Sequence, residues 1–136
     1  MSTILVDSCI ISDLADEQSE WFEWSSSTLE DLDESNSFAI NDIIYAEVSI
    51  IFSTIEEYND YISILNFSIA AIPREALFLA GKAYLNYRKN KGSKHNVLPD
   101  FFIGAHAAVS GFPLMTRDKN RFSTYFPTVE LITPIH

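Results

Sequence analysis

Short strand-like runs alternate with helical segments along the whole chain, and this order restricts the folds that the chain can adopt. The first run, at 3–6, is apolar and rich in β-branched residues, as buried strands are, and Asp7 ends it. Similar runs lie at 38–40, 68–72, 113–116 and 129–132. Alternation with helices predicts an α/β fold, with a mainly parallel central sheet of four to five short strands and helices on both faces.

The segments between these runs have helical patterns and recognisable end signals. Helices are predicted at 9–16, from 41 or 42 onward, at 56–65, at 73–89 and at 100–110. Ser8 is expected to cap the first helix, Pro99 to open the last one and Gly111 to close it. The acidic, serine-rich stretch 17–37 is predicted to hold a partly packed helix and then a loop over 31–36, and a further loop is expected at 90–97.

The composition favours one ordered domain over 1–136. The chain is 47% hydrophobic, which excludes general disorder, and no apolar run reaches the ~20 residues that span a bilayer. Because it has a single cysteine and its first residues lack a signal-peptide pattern, we expect a cytoplasmic protein without an internal disulfide framework.

Charge is divided unevenly between the two halves. Residues 1–73 contain 15 acids and no Lys or Arg, whereas 74–136 contain all nine basic residues and four acids, a net charge of +5. A polyanion such as nucleic acid would therefore meet the second half. Candidate contacts are Lys82, Arg88, Lys94, Arg117 and Lys119. Taken singly, each of them is more often a solvated surface charge.

Four acids are expected at the carboxyl end of the sheet, where ligands bind in such folds. Asp7 and Asp118 follow strands, Asp100 lies in the first turn of a helix, and Glu47 interrupts an apolar helical stripe. Clustered carboxylates repel one another and require a cation. An oxygen-only site suits Mg²⁺ or Mn²⁺, and a metal of this kind promotes phosphodiester hydrolysis.

The sequence resembles the PIN-domain nucleases, and among them the VapC-like toxins of toxin–antitoxin pairs. The segments that carry the resemblance are ILVDS at 4–8, NDIIYAEV at 41–48, PDFFIGAHA at 99–107 and PLMTRDKNRF at 113–122. The resemblance implies a three-layer α/β/α fold, a Mg²⁺- or Mn²⁺-dependent endoribonuclease, a homodimer and an antitoxin partner. It assigns the metal-binding and catalytic roles to Asp7, Glu47, Asp100 and Asp118.

The resemblance also implies supporting roles for Ser8 and Thr116, whose hydroxyls match those of the family. One departure concerns Asn120, since many relatives carry Asp at this position. An amide can hold a water but adds no charge, which puts a second tightly bound metal in doubt.

Other interpretations remain open. A PIN-fold binding module without activity is the main alternative, and loss of an acid would be its signature. A phosphate-accepting signalling domain lacks its paired acids here, and a dehalogenase-like phosphatase would need Asp where Cys9 stands. Cys9 is expected to be a structural thiol, His106 to lie off the catalytic face, and Ser8 to be either a helix cap or a neighbour of the acids.

Overall fold

The computed structural model describes residues 2–90 and 98–134. The strands are β1 Ser2–Val6, β2 Asn36–Ile40, β3 Phe67–Ile69, β4 Leu114–Met115 and β5 Leu131–Ile132. The helices are α1 Ser8–Leu14, α2 Phe22–Asp33, α3 Asp42–Val48, α4 Ile55–Leu65, α5 Arg74–Lys89, α6 Leu98–Ser110 and α7 Lys119–Ser123, with a 3₁₀ turn at Ser49–Ile51. Within these described ranges, no helix is both long and apolar enough to cross a membrane.

The five strands form one sheet in the order β3-β2-β1-β4-β5, and every neighbouring pair is parallel. The predicted α/β class with a parallel sheet is therefore confirmed. The chain moves outward from β1 to β3 and then crosses back to β4. Since crossovers of this kind are right-handed, the two halves of the chain cover opposite faces of the sheet. The order reverses between β1 and β4, and ligands of open α/β sheets bind at such a point.

The central strand β1 is apolar on both faces because helices cover both of them. Ile4, Leu5 and Val6 are all buried, which explains a continuous apolar run in place of alternation. Leu5 pairs with Ala39 of β2 on one side and with Leu114 of β4 on the other. The carboxyl end of β1 is consequently fixed by a neighbouring strand on each side, and this also fixes the position of the next residue, Asp7.

Several predicted boundaries were wrong. Asp7, and not Ser8, is the N-cap of α1, since its carboxylate accepts a hydrogen bond from the Ser8 amide. Helix α2 continues to Asp33 where a loop was predicted, because Leu29 packs into the core and holds this polar segment in place. The third strand ends at Ile69, and the short helix α7 was not predicted. Most of the predicted loop at 90–97 lies outside the described residues.

Helix α6 is held in place by a close approach and by a buried polar pair. Gly104 faces the ring of Phe126 so closely that a Cβ atom would overlap it. Two residues further on, Nδ1 of the buried His106 lies 3.0 Å from Nδ2 of Asn41, the N-cap of α3. The pair joins α3 to α6, the two helices that carry Glu47 and Asp100. His106 thus lies in the core, as expected of a residue off the catalytic face.

Candidate active site

Asp7 is a buried carboxylate with three hydrogen-bond donors around it. Its Oδ1 accepts from the Ser8 amide at 2.8 Å, and its Oδ2 accepts from the Thr116 hydroxyl at 2.8 Å and from the Cys9 thiol at 3.6 Å. Burial nevertheless raises the pKa of Asp7, since the hydrogen bonds lower it by less than burial raises it. The hydrogen bonds orient the ionised Asp7 carboxylate, but they do not fully compensate the cost of burying its negative charge.

Thr116 links the ends of β1 and β4. While its hydroxyl donates to Asp7, the same oxygen accepts a hydrogen bond from the Asp118 amide at 3.1 Å. The side chain is fully buried. The spacing of Asp118 from Asp7 is thereby set by a single hydroxyl between them.

Glu47 carries a carboxylate oxygen without a partner. Among the described residues, Glu47 Oε1 is the only buried side-chain oxygen or nitrogen that has no hydrogen-bond partner. Burial raises the pKa of Glu47, the charge of Asp7 raises it further, and a hydrogen bond from the Ser8 side chain lowers it. An orphaned buried oxygen of this kind is costly unless a cation or a water meets it.

Asp100 and Asp118 share one basic partner, Arg121. Arg121 Nε lies 3.4 Å from Asp100 Oδ2, and Nη2 lies 3.2 Å from Asp118 Oδ2. Burial raises the pKa of Asp100 to about 6, and the charges of Asp7, Glu47 and Asp118 contribute in the same direction. The four predicted acids are therefore within electrostatic reach of one another.

The fit of this site to a metal ion rests on donor chemistry. Across residues 2–90 and 98–134, no three Asp, Glu, His or Cys side chains converge as tightly as a bound metal requires. Arg121 stands between two of the acids instead. The candidate ligands are nevertheless all carboxylate oxygens, which Mg²⁺ and Mn²⁺ prefer. Glu47 Oε1 has no partner, and the neighbouring acids raise the pKa of Asp100, so a cation would relieve both.

Three of the four acids line a cleft of about 630 Å³. Its acidic side is formed by Glu47, Asp100 and Asp118, whereas Asp7 is buried behind them. The remaining lining residues are Tyr87, Phe101, Asn120, Arg121, Thr124, Tyr125 and Phe126. Four of these residues are aromatic and form a wall beside the carboxylates, which we call the aromatic wall: Tyr87, Phe101, Tyr125 and Phe126. Aromatic rings are the surfaces on which unpaired nucleobases stack.

The PIN domain family matches residues 4–125. The chain belongs to the PIN domain family. This match confirms the resemblance seen in the sequence motifs, and all four predicted acids of this PIN domain lie within the matched range.

Solved structures agree with the fold. Residues of this PIN domain superpose on VapBC2 from Rickettsia felis, bound to a DNA fragment from its promoter, with a TM-score of 0.75 and 18% identity over 98% of this chain and 99% of that one. The superposition on VapBC-1 from Haemophilus influenzae has a TM-score of 0.73 and 17% identity over 96% of this chain and 97% of that one. The superposition on FitAcB from Neisseria gonorrhoeae has a TM-score of 0.69 and 20% identity over 98% of this chain and 99% of that one. No curated protein matches in sequence.

The candidate nucleic-acid contacts of this PIN domain do not form one stripe. Lys82 lies over the Phe78 ring and Arg88 over the Tyr84 ring, both on α5. Six residues apart, they point about 120° away from each other around the helix. Lys119 is exposed at the start of α7. Lys94 lies outside the described residues.

Arg117 of the PIN domain pairs with a buried acid, although its own side chain is 30% exposed. Its Nε donates to Oδ2 of the buried Asp13 at 2.9 Å, and its guanidinium lies over Trp21. Asp13 also accepts hydrogen bonds from the hydroxyls of Ser19 and Ser25. Arg117 therefore ties the segment between β4 and α7 to α1 and α2, which is a structural role.

Sequence reasoning missed Arg121. The available signal was its spacing, since a basic residue three positions after Asp118 shares its face once a helix forms there. Because α7 itself was not predicted, this spacing carried no weight. Asn120, which the sequence singled out, does line the cleft.

Proposed function

We propose that the chain is a Mg²⁺- or Mn²⁺-dependent endoribonuclease that acts as the toxin of a toxin–antitoxin pair. The observation that carries the proposal is the orphaned, buried Glu47 Oε1 in a cleft that Asp100 and Asp118 also line, with the buried Asp7 close enough to act on Glu47 and Asp100 electrostatically. The membership of the PIN domain family supports nuclease chemistry. The choice of RNA follows from the resemblance to VapC-like toxins, whose complexes share the fold.

Asp7, Glu47, Asp100 and Asp118 would hold the divalent ion. A cation at this position supplies Lewis acidity, because it polarises a phosphate oxygen and makes water more acidic. The chain itself does the positioning. The Thr116 hydroxyl holds the Asp7 carboxylate, the Ser8 side chain lowers the pKa of Glu47 and so favours its charged form, and the Asn120 amide in the cleft can orient a water.

The aromatic wall supports a single-stranded substrate. Tyr87 and Tyr125 line the cleft, and their rings meet edge to face with 6.1 Å between centroids. An unpaired base has a free face to stack there, whereas a paired base in a helix does not. Lys82, Arg88, Lys94 and Lys119 remain the candidates for contacts to the phosphate backbone.

The biological setting belongs to the same proposal. We expect a cytoplasmic homodimer that a partner antitoxin silences. Large apolar side chains at the junction of α3 and α4 are exposed, notably Ile50 and Ile55, and they favour a protein partner. Copurification with the product of a small neighbouring gene tests the antitoxin, and light scattering tests the dimer.

Expression in a bacterium tests the enzymatic part. The wild type should stop growth and leave new RNA 5′ ends, which sequencing would locate, whereas Asp7→Asn should do neither. Glu30→Gln is the matched control, since it removes an exposed carboxylate on α2. Specific RNA binding by the purified wild type without any cutting in Mn²⁺ would favour the alternative, an inactive PIN-fold binding module.

A further inference from the structure

Arg121 supplies a positive charge that partly balances the negative charges of the four acids. Its guanidinium contacts Asp100 and Asp118 directly, and its charge lowers the pKa of both Asp7 and Glu47. One side chain thus acts on all four carboxylates. It does so at the place where a divalent ion would have to act.

The contacts of Arg121 are loose. They measure 3.2 to 3.5 Å, longer than the roughly 2.7–2.9 Å of a strong charged hydrogen bond. Arg117 offers a comparison four residues earlier, since it meets the buried Asp13 at 2.9 Å. The Arg121 side chain is 47% exposed and lines the cleft. It can therefore turn away from the acids without unpacking the core.

We propose that Arg121 is a built-in counter-ion that the divalent cation must displace before the site is loaded. The inference rests on the proposed function. Arg121 and the metal would neutralise the same oxygens of Asp100 and Asp118, and two cations at one site repel each other. Arg121 therefore weakens metal binding. Once displaced, the guanidinium stays at the cleft, where a phosphate of the substrate is the group that it pairs with.

Metal titration of Arg121→Gln tests the competition. We expect metal-free Arg121→Gln protein to bind Mn²⁺ at least about fivefold more tightly than the wild type in calorimetry, the lower end of ordinary coupling between sites. Arg121→Lys keeps the charge and should bind Mn²⁺ nearly as the wild type does. Arg74→Gln is the matched control, because it removes a basic charge that is not among those acting on Asp7, Glu47 or Asp100.

Thermal unfolding adds a second readout. In EDTA, Arg121→Gln should melt below the wild type, because the acids lose their counter-ion, and saturating Mn²⁺ should close or reverse that gap. A variant that folds only with Mn²⁺ supports the inference equally.

The two proposals fail differently. If the wild type binds Mn²⁺ and Arg121→Gln binds it no more tightly, the competition is refuted and the nuclease proposal stands. If neither the wild type nor any variant binds Mn²⁺, the metal-dependent nuclease is refuted and the inference falls with it.

Discussion

The Thr116 hydroxyl donates a 2.8 Å hydrogen bond to Asp7 Oδ2 across the ends of two neighbouring strands, β4 and β1. Because the same oxygen accepts from the Asp118 amide, one hydroxyl orients one acid and fixes the backbone of another. The PIN domain thus builds its acidic edge at the reversal of strand order, from residues more than a hundred positions apart in sequence.

Thr116→Val should expose the importance of this hydroxyl. Valine keeps the shape, leaves the buried Asp7 Oδ2 with only the weak Cys9 thiol as donor, and takes the side-chain acceptor from the Asp118 amide, so we expect a loss of about 1–3 kcal/mol in unfolding free energy. Urea denaturation in EDTA measures it. Thr116→Ser retains the oxygen and should lose clearly less. A loss in Thr116→Ser together with none in Thr116→Val would show that the methyl group, and not the hydrogen bond, matters at this position.

Asp7→Asn should separate the charge of Asp7 from its capping role. Asparagine caps helices as well as aspartate does, so the α1 cap survives while one buried charge disappears. We expect stability in EDTA that equals or exceeds that of the wild type, together with loss of ribonuclease activity in Mn²⁺. Asp7→Ala removes the cap too and should lose about 0.5–2 kcal/mol. An Asp7→Asn protein that is destabilised and still cuts RNA would contradict our assignment.

The pKa of Asp100 predicts how the metal-free protein responds to pH. Its pKa is about 6 in the folded state, against 3.8 for an ordinary Asp. Between these values the folded state binds the proton that the unfolded state releases, so Asp100 makes the protein less stable as pH rises from about 4 through 6. Asp100→Asn should flatten this part of the stability profile in EDTA. If the profiles of variant and wild type run parallel over this window, the Asp100 pKa is not raised.

His106 contributes with the opposite sign. Burial lowers its pKa below 6.5, so the folded state resists a proton that the unfolded state accepts. Stability from the neutral ring is complete above 6.5 and is lost as pH falls below it. The pH test of Asp100 therefore compares two variants with His106 unchanged, so that this contribution cancels.

The sequence predicted those site residues whose position follows from the backbone. An apolar run that ends in Asp7 places this acid at a strand end, and Glu47 is conspicuous on its apolar helical stripe. Arg121 could not be placed in this way, because its contacts depend on a side-chain conformation and on the short helix α7. Asp13 looks like a surface acid in the sequence. It is buried only because Ser19, Ser25 and Arg117 reach it from other segments.

The predicted ends of helices and strands were wrong where tertiary packing outweighs the local composition. Serine and acidic residues favoured a loop after 30, yet Leu29 packs into the core and α2 extends to Asp33. The sheet was easier to predict, since parallel strands are buried on both faces and leave continuous apolar runs in the sequence.

Gly104→Ala should show how tightly α6 is packed beside the cleft. An added Cβ would overlap the Phe126 ring, so the helix or the ring has to move, and we expect a loss of about 1–3 kcal/mol from overpacking. Asp100 lies one turn earlier on the same helix, and Phe126 lines the cleft, so the shift should also weaken Mn²⁺ binding.

The same substitution at Gly81 provides the matched control for Gly104→Ala. Gly81 lies within α5, and an added Cβ there meets no atom within 4 Å. Alanine in a helix interior is favoured over glycine, so Gly81→Ala should stabilise the protein by about 0.5–1 kcal/mol and leave Mn²⁺ affinity unchanged. Denaturation and calorimetry on both variants measure the two effects. If both variants gain stability, Phe126 yields freely to the new methyl group, and α6 is not held by this contact.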